Sequence, residues 1–215
     1  MARTAIFGGS FNPVHLAHLL MADEMLERLH LHRVVFVPAA APPHKPAAVL
    51  APAEHRYEMV RLAVAGHRGF EVSDVELRRR GPSFTVDTVE EFARGGEDLF
   101  LLLGSETFLD LLTWRQPRRI VELARLVVVP RTGSAFDPES AAAQKVLREI
   151  GAERFGGPDD PVSPATVVVV HAASLPISSS DLRARAAAGR SLAFRVPEAV
   201  SAYIAGHRLY AGAGR

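Results

Sequence analysis

Short, continuously apolar segments that alternate with helical patterns constrain the fold of this chain more than any other feature. Four such segments span residues 34–37, 99–103, 126–129 and 167–170. Runs of this length are typical of strands that are covered on both faces. Helical spacing is found in two sets of residues between them, namely Leu16, Leu19, Leu20, Leu26 and Leu29 in the first and, less cleanly, Tyr57, Val60, Arg61 and Val64 in the second.

Strands and helices in this alternation predict an α/β fold with a doubly wound, Rossmann-like parallel sheet, which binds ligands at the carboxyl ends of its strands. We expect a single domain over residues 1–215, with a short C-terminal helical segment over 197–207. Two stretches interrupt the pattern. Residues 38–52 are rich in proline and alanine and predict a rigid, extended loop over the ligand site. Residues 151–164 are rich in Gly, Pro and Asp and predict a mobile surface connection.

The segment from Ile6 to His18 predicts a phosphate-binding turn. A strand ends in Gly8 and Gly9, and a helical pattern begins at His15 and His18, which would face the same side of the helix start. Glycines let the backbone approach an anion, and a helix N-terminus adds about half a unit of positive charge. Two alternatives stay open here. In one the glycines serve only a tight turn, and in the other the histidines bind zinc, which would need a third ligand from a chain without cysteine.

A second segment near the C-terminus has the features of another anion site. Ser178 and Asp181 have the spacing of a capping box at the start of a helix predicted over 181–188. Arg183 lies in the first turn, where a cation opposes the helix dipole by ~0.3–1 kcal/mol and is better placed beside a bound anion. Serine hydroxyls, free N–H groups and a guanidinium suit a polyphosphate. The alternative is an ordinary capped surface helix with solvated arginines.

Composition excludes several classes of function. The formal net charge is +1, so no general field would gather nucleic acid or an anionic membrane surface. The chain has no cysteine, which excludes disulfides and thiol chemistry and suits a reducing compartment. No apolar stretch reaches the roughly 18–20 residues of a membrane span, and the first strand begins too early for a secretory signal. We therefore expect a cytoplasmic protein that binds neither nucleic acid nor membrane.

Seven segments together resemble one known family. GGSFNPVHLAH (8–18) and ISSSDLR (177–183) are similar to the two signature motifs of the nucleotidyltransferase superfamily. PPHK (42–45), GPSFT (81–85), LGSE (103–106), TW (113–114) and VPR (129–131) follow in the order found in nicotinate-nucleotide adenylyltransferases. The resemblance covers nearly the whole chain. It implies transfer of the adenylyl group from ATP to nicotinate mononucleotide, with pyrophosphate released and no covalent enzyme intermediate.

The resemblance also implies roles for individual residues on the ATP side. His15, His18 and Arg183 would be catalytic, because neutralising charge on the leaving oxygens is the main task in this reaction. A histidine kept protonated by the polyphosphate would do this best. ATP would contact Gly8, Gly9, Ser10, Phe11, Glu106, Arg131, Ser178 and Ser179. Mg²⁺ would be carried on the ATP phosphates, with no metal ligand in the protein.

Nicotinate mononucleotide would bind to the middle of the chain. The residues implied are His44, Lys45, Phe84, Thr85, Trp114 and Arg115. Trp114 would stack on the pyridine ring, and backbone N–H groups near Thr85 would bind the ring carboxylate. On spacing alone, Trp114 could equally be a core or lid aromatic, and His44 with Lys45 a solvated loop. The resemblance leaves a homo-oligomer open.

The sequence departs from the family pattern at four positions. Ala17 replaces a glycine, Phe84 a frequent tyrosine, Glu106 an aspartate and Arg115 an aromatic residue. Two other functions remain to be weighed. One is transfer to a different phosphorylated small molecule, such as phosphopantetheine, and the other is nucleotide binding without catalysis. The nicotinate-type segments argue against the first, and the intact histidine pair with its arginine argues against the second.

Overall fold

The fold is built on one parallel sheet, seen in a computed structural model that describes residues 1–43, 50–130, 133–160, 163, 165–173 and 175–212. Over these ranges the sheet has seven strands in the order β3-β2-β1-β4-β5-β7-β6, and every neighbouring pair is parallel. The strands are β1 (Arg3–Gly9), β2 (Arg33–Pro38), β3 (Phe70–Val72), β4 (Asp98–Gly104), β5 (Arg125–Val129), β6 (Arg154–Gly156) and β7 (Thr166–Val169). The predicted doubly wound α/β fold is confirmed.

Helices cover both faces of this sheet. In the part of the chain that the structure describes they are α1 (Leu16–Arg28), α2 (Ala53–Val64), α3 (Val75–Arg78), α4 (Thr85–Ala93), α5 (Ser105–Leu109), α6 (Pro117–Leu123), α7 (Ala141–Glu149), α8 (Ser179–Ala187) and α9 (Glu198–Gly206). A short 3-10 turn, Leu111–Thr113, follows α5. None of the helices in these ranges is long and apolar enough to cross a bilayer.

Alternation along the strands divides the core into two layers. Phe7 and Phe36 point to the layer that α1, α2, α8 and α9 cover. Ile6 and Val35, their neighbours in the chain, point to the layer under α4, α6 and α7. Because both faces are covered, apolar side chains are favoured at successive positions, which explains the continuous apolar runs in the sequence.

All four apolar runs are strands, but two short edge strands were not predicted. β3 and β6 have only three residues each, too few for a periodic signal. β6 also corrects the prediction for residues 151–164. We expected a mobile connection there, whereas Arg154–Gly156 pairs in parallel with β7 and closes one edge of the sheet.

Two helices bury some residues other than those predicted. In α1 the buried residues are Ala22 and Met25, and of the predicted leucines only Leu29, just past the helix end, is equally buried. In α2 the predicted Val60 and Val64 are buried. The helix also buries Arg56, which was not predicted, and leaves Arg61 exposed. The C-terminal helix α9 occurs where it was predicted, and α8 begins two residues earlier than expected.

Candidate active site

A crevice opens in the middle of the sheet because β1 and β4 stop pairing before they end. Their pairing runs only to Ile6 opposite Leu101. Beyond this point β1 continues along β2 to Gly9, while β4 continues along β5 to Gly104. Successive strands are added in opposite directions from β1 and β4, and ligands bind at such switch points in open parallel sheets.

The two glycines at the end of β1, Gly8 and Gly9, differ in the space around their backbone. A Cβ built on Gly8 would meet no atom within 4 Å, so this backbone faces open space. A Cβ on Gly9 would lie 3.0 Å from the ring of Phe11. That ring is 2% exposed and packs edge-on against Phe7, with centroids 5.4 Å apart. Only the backbone of Phe11, not its side chain, therefore remains for the predicted contact with phosphate.

His15 and His18 lie together at the start of α1. Their rings stack with centroids 3.7 Å apart and an interplanar angle of 20°. The backbone N–H of His15 donates to Nδ1 of His18 over 3.3 Å, which leaves the proton of a neutral His18 on Nε2. As for the zinc alternative, no group of three or more His, Cys, Asp or Glu suited to a metal occurs in the described ranges.

The second predicted anion segment contacts the first. Ser178 caps α8 by accepting a hydrogen bond from the backbone N–H of Asp181 (3.1 Å), as its spacing predicted. The hydroxyl of Ser179 donates to the carbonyl of Pro13 (2.9 Å), and Nη1 of Arg183 donates to the carbonyl of Asn12 (2.8 Å). Residues 166 and 171 positions apart are thus bonded directly. A carbonyl orients a guanidinium without neutralising its charge, so this contact leaves Arg183 cationic.

Glu106 lies on the other side of the crevice. It belongs to α5, which starts immediately after β4 ends at Gly104. The neighbouring Ser105 hydroxyl is 3.2 Å from that of Ser134, which ties the start of α5 to the segment after β5. Glu106 is solvent-exposed. Arg131, also predicted here, lies outside the described residues.

Those predicted mononucleotide residues that the structure describes form a separate group at the start of α4. The guanidinium carbon of Arg115 lies 5.0 Å from the ring centroid of Phe84, and its Nη1 is 4.0 Å from the Asp87 carboxylate. Thr85 is the first residue of α4, and Trp114 packs half-buried on the apolar layer beneath. Arg115 therefore stacks on a protein ring in this structure.

The loop after β2 is anchored to this group. The backbone N–H of Ser83 donates to the carbonyl of Ala41 (2.9 Å), and the N–H of Ala41 donates to the Ser83 hydroxyl (3.1 Å). This exchange holds the beginning of the proline-rich loop next to Phe84. His44 and Lys45 belong to the same loop and lie outside the described residues, so their predicted contact with the mononucleotide phosphate remains a prediction.

Sequence reasoning missed Arg56, the residue that ties the loops around the crevice together. It is 1% exposed. Its guanidinium donates to the carbonyls of Ala51 (2.8 Å), Ser10 (2.9 Å), Ala39 (2.6 Å) and Ala40 (3.1 Å). Burial lowers the pKa of this guanidinium. The available signal was an arginine spaced three and four residues before Met59 and Val60, on the apolar face of α2.

The parallel sheet with a crevice at its switch point is typical of nucleotide-binding α/β proteins, and the comparison with protein families assigns the chain to the nucleotidyltransferases. The family described as Cytidylyltransferase-like matches residues 6–185, a range that includes both anion segments. Among curated proteins, a probable nicotinate-nucleotide adenylyltransferase of Roseiflexus sp. (strain RS-1) is 41% identical over 210 residues, covering 97% of this chain and 98% of the relative. One of the same name from Thermus thermophilus is 42% identical over 210 residues, covering 97% and 99%. The chain belongs to the nicotinate-nucleotide adenylyltransferase family.

Solved structures show the same fold. The Plasmodium falciparum nicotinic acid mononucleotide adenylyltransferase complexed with NaAD superimposes with a TM-score of 0.74 at 18% identity, covering 98% of both chains. The complex of that protein with APC gives a TM-score of 0.71 at 17% identity and the same coverage. At this level of identity, the similarity concerns the arrangement of strands and helices.

Proposed function

We propose that this protein transfers the adenylyl group of ATP to nicotinate mononucleotide, which yields nicotinate adenine dinucleotide and pyrophosphate in the biosynthesis of NAD. The observation that carries the proposal is the direct contact of Ser179 and Arg183 with the loop that leads into His15 and His18. This contact gathers hydroxyl, imidazole and guanidinium groups at the switch point of the sheet. The family relationship supports the same reaction.

In the proposed reaction a phosphate oxygen of the mononucleotide attacks the α-phosphorus of ATP. The bond from that phosphorus to the β-phosphate bridging oxygen breaks, and the electron pair leaves with pyrophosphate. The nucleophile is already ionised, so catalysis requires alignment and neutralisation of charge on the leaving oxygens. Nε2–H of His18 and the guanidinium of Arg183 are assigned to this task, with His15 beside them.

Binding is divided between the two sides of the crevice. We assign the phosphates of ATP to the backbone from Gly8 to Phe11, with Ser178 and Ser179, and the nucleoside to Glu106. We assign the nicotinate ring to Trp114 and the start of α4. Mg²⁺ enters with ATP as part of the substrate, since it keeps its waters and prefers phosphate oxygens. The reaction requires ATP, which is consistent with a location in the cytoplasm.

The substrate assignment predicts a strong preference for the acid over the amide. We expect kcat/KM to be at least about tenfold higher for nicotinate mononucleotide than for nicotinamide mononucleotide, because backbone N–H groups near Thr85 would bind a carboxylate more strongly than a neutral amide. A coupled assay of pyrophosphate release with each mononucleotide measures this. Equal efficiency with both, or activity with phosphopantetheine alone, would contradict the assignment.

Arg183→Ala is expected to weaken ATP binding roughly 10- to 100-fold, because hydrogen bonds to charged groups are worth more than neutral ones. Binding of nicotinate mononucleotide should change little. Isothermal titration calorimetry with each substrate separates the two effects. Arg185→Ala is the matched control, since Arg185 lies on the same helix but donates to the carbonyl of Ser191 (3.0 Å). Equal losses for both substrates would contradict the role of Arg183.

A further inference from the structure

Three distant segments of the chain meet at Asn12. Its side-chain Oδ1 accepts hydrogen bonds from the hydroxyl of Tyr210 (2.8 Å) and from the backbone N–H of Ala51 (3.0 Å). Its backbone carbonyl accepts the bond from Arg183 already described (2.8 Å). Asn12 is 2% exposed. One buried residue of the loop between β1 and α1 is therefore bonded to the C-terminal segment, to the segment before α2 and to α8.

Tyr210 reaches this position from the segment that follows α9. Its φ of 62° lies in the left-handed region, which a residue other than glycine keeps only when its surroundings hold it there. Leu209 and Tyr210 both pack against the apolar layer of α1 and α2. Burial raises the pKa of the Tyr210 phenol, and the charges of Arg183 and Arg56 act in the opposite direction. The neutral phenol is thus a donor placed near both guanidinium groups.

We infer that Tyr210 is a positioning residue for ATP binding, which orients Arg183 through Asn12. The hydroxyl of Tyr210 holds the side chain of Asn12, and the backbone of Asn12 in turn presents the carbonyl to which Arg183 is bonded. Without the hydroxyl of Tyr210, the side chain of Asn12 keeps its bond to Ala51 but loses its bond to the C-terminal segment. The loop that carries the Asn12 carbonyl is then held less firmly. The inference rests on the assignment of Arg183 to the phosphates of ATP in the proposed function.

Tyr210→Phe tests this inference because it removes one oxygen atom and keeps the packing of the ring. We expect the Kd for ATP, measured by calorimetry, to rise about fivefold to tenfold, the effect of one lost hydrogen bond. The Kd for nicotinate mononucleotide should stay within about twofold, because the residues assigned to that substrate lie on the other side of the crevice and keep their hydrogen bonds. Tyr203→Phe is the matched control. Tyr203 lies on α9, and its hydroxyl bonds to Nδ1 of His55 (2.8 Å) rather than to Asn12.

A double-mutant cycle separates positioning from a general loss of stability. If Tyr210 acts through Arg183, then Tyr210→Phe should change ATP binding by less than about twofold when Arg183 is already alanine. Additive losses in the double variant, or an equal rise in the ATP Kd for Tyr203→Phe, would overturn the inference. The cycle uses binding alone. A wild-type protein that binds ATP but transfers no adenylyl group would therefore refute the proposed function and still leave this test readable.

Discussion

His18→Ala is expected to lower kcat about 30- to 1,000-fold, a loss of ~2–4 kcal/mol of transition-state stabilisation, with the fold intact. The ring of His18 stacks on His15 and approaches the ring of Phe11 edge-on at 5.2 Å, so its orientation is set before substrate binds. The bond at Nδ1 directs its remaining N–H away from the backbone of His15. A donor held in this way loses little conformational freedom when it binds the transition state. Steady-state kinetics with saturating substrates measure the loss.

Two measurements make this result specific to the site. Circular dichroism and thermal melting should show that the His18→Ala protein keeps its structure. His67→Ala is the control, because His67 precedes β3 at the edge of the sheet and pairs with Asp23 (3.1 Å). That variant should keep wild-type kcat. Wild-type turnover in the His18→Ala protein would remove the histidine from the mechanism.

Arg56→Met is expected to lower the free energy of unfolding by ~2–4 kcal/mol, because it removes the donor of four partly buried carbonyls at once. Methionine preserves most of the volume, so the loss reports the hydrogen bonds of the guanidinium rather than a cavity. For a chain of this length the midpoint of thermal unfolding should fall by about 5–15 °C. Differential scanning calorimetry measures the change. ATP binding should weaken as well, since one acceptor is the carbonyl of Ser10 beside the glycine turn.

The matched control for this prediction lies on the same helix. Arg61 is exposed and pairs with Glu58 (2.6 Å) three residues earlier. An exposed ion pair contributes little to stability, so Arg61→Met should melt close to the wild type. If both variants melted at the same temperature, the buried guanidinium would not be the group that holds the loops together.

Local patterns were sufficient to predict much of this fold. Each apolar run became a strand, because a sheet covered on both faces favours apolar side chains. The glycine turn before α1 and the Ser178 cap were also predictable, since both depend on residues close together in the chain. The short edge strands were not, because three residues carry no period and pair only once their neighbour is in place.

The burial of Arg56 could not be predicted from the sequence pattern either. Composition and spacing describe an arginine as a surface residue. Arg56 is buried because four carbonyls from two loops converge on it, and those loops come together only when β1 and β2 are paired. The contact of Tyr210 with Asn12 could not be predicted for the same reason, because the two residues lie 198 positions apart in the chain.

The amino-acid sequence by itself determined the α/β class, the order of most strands and helices, and the chemical groups offered to a nucleotide, because these follow from residue type and local spacing. The tertiary structure decided where the crevice opens, which arginine is buried and which residues hold the loop between β1 and α1. These features depend on contacts between segments far apart in the chain. Such contacts form only once β1 and β2 are paired and the loops that follow them lie side by side.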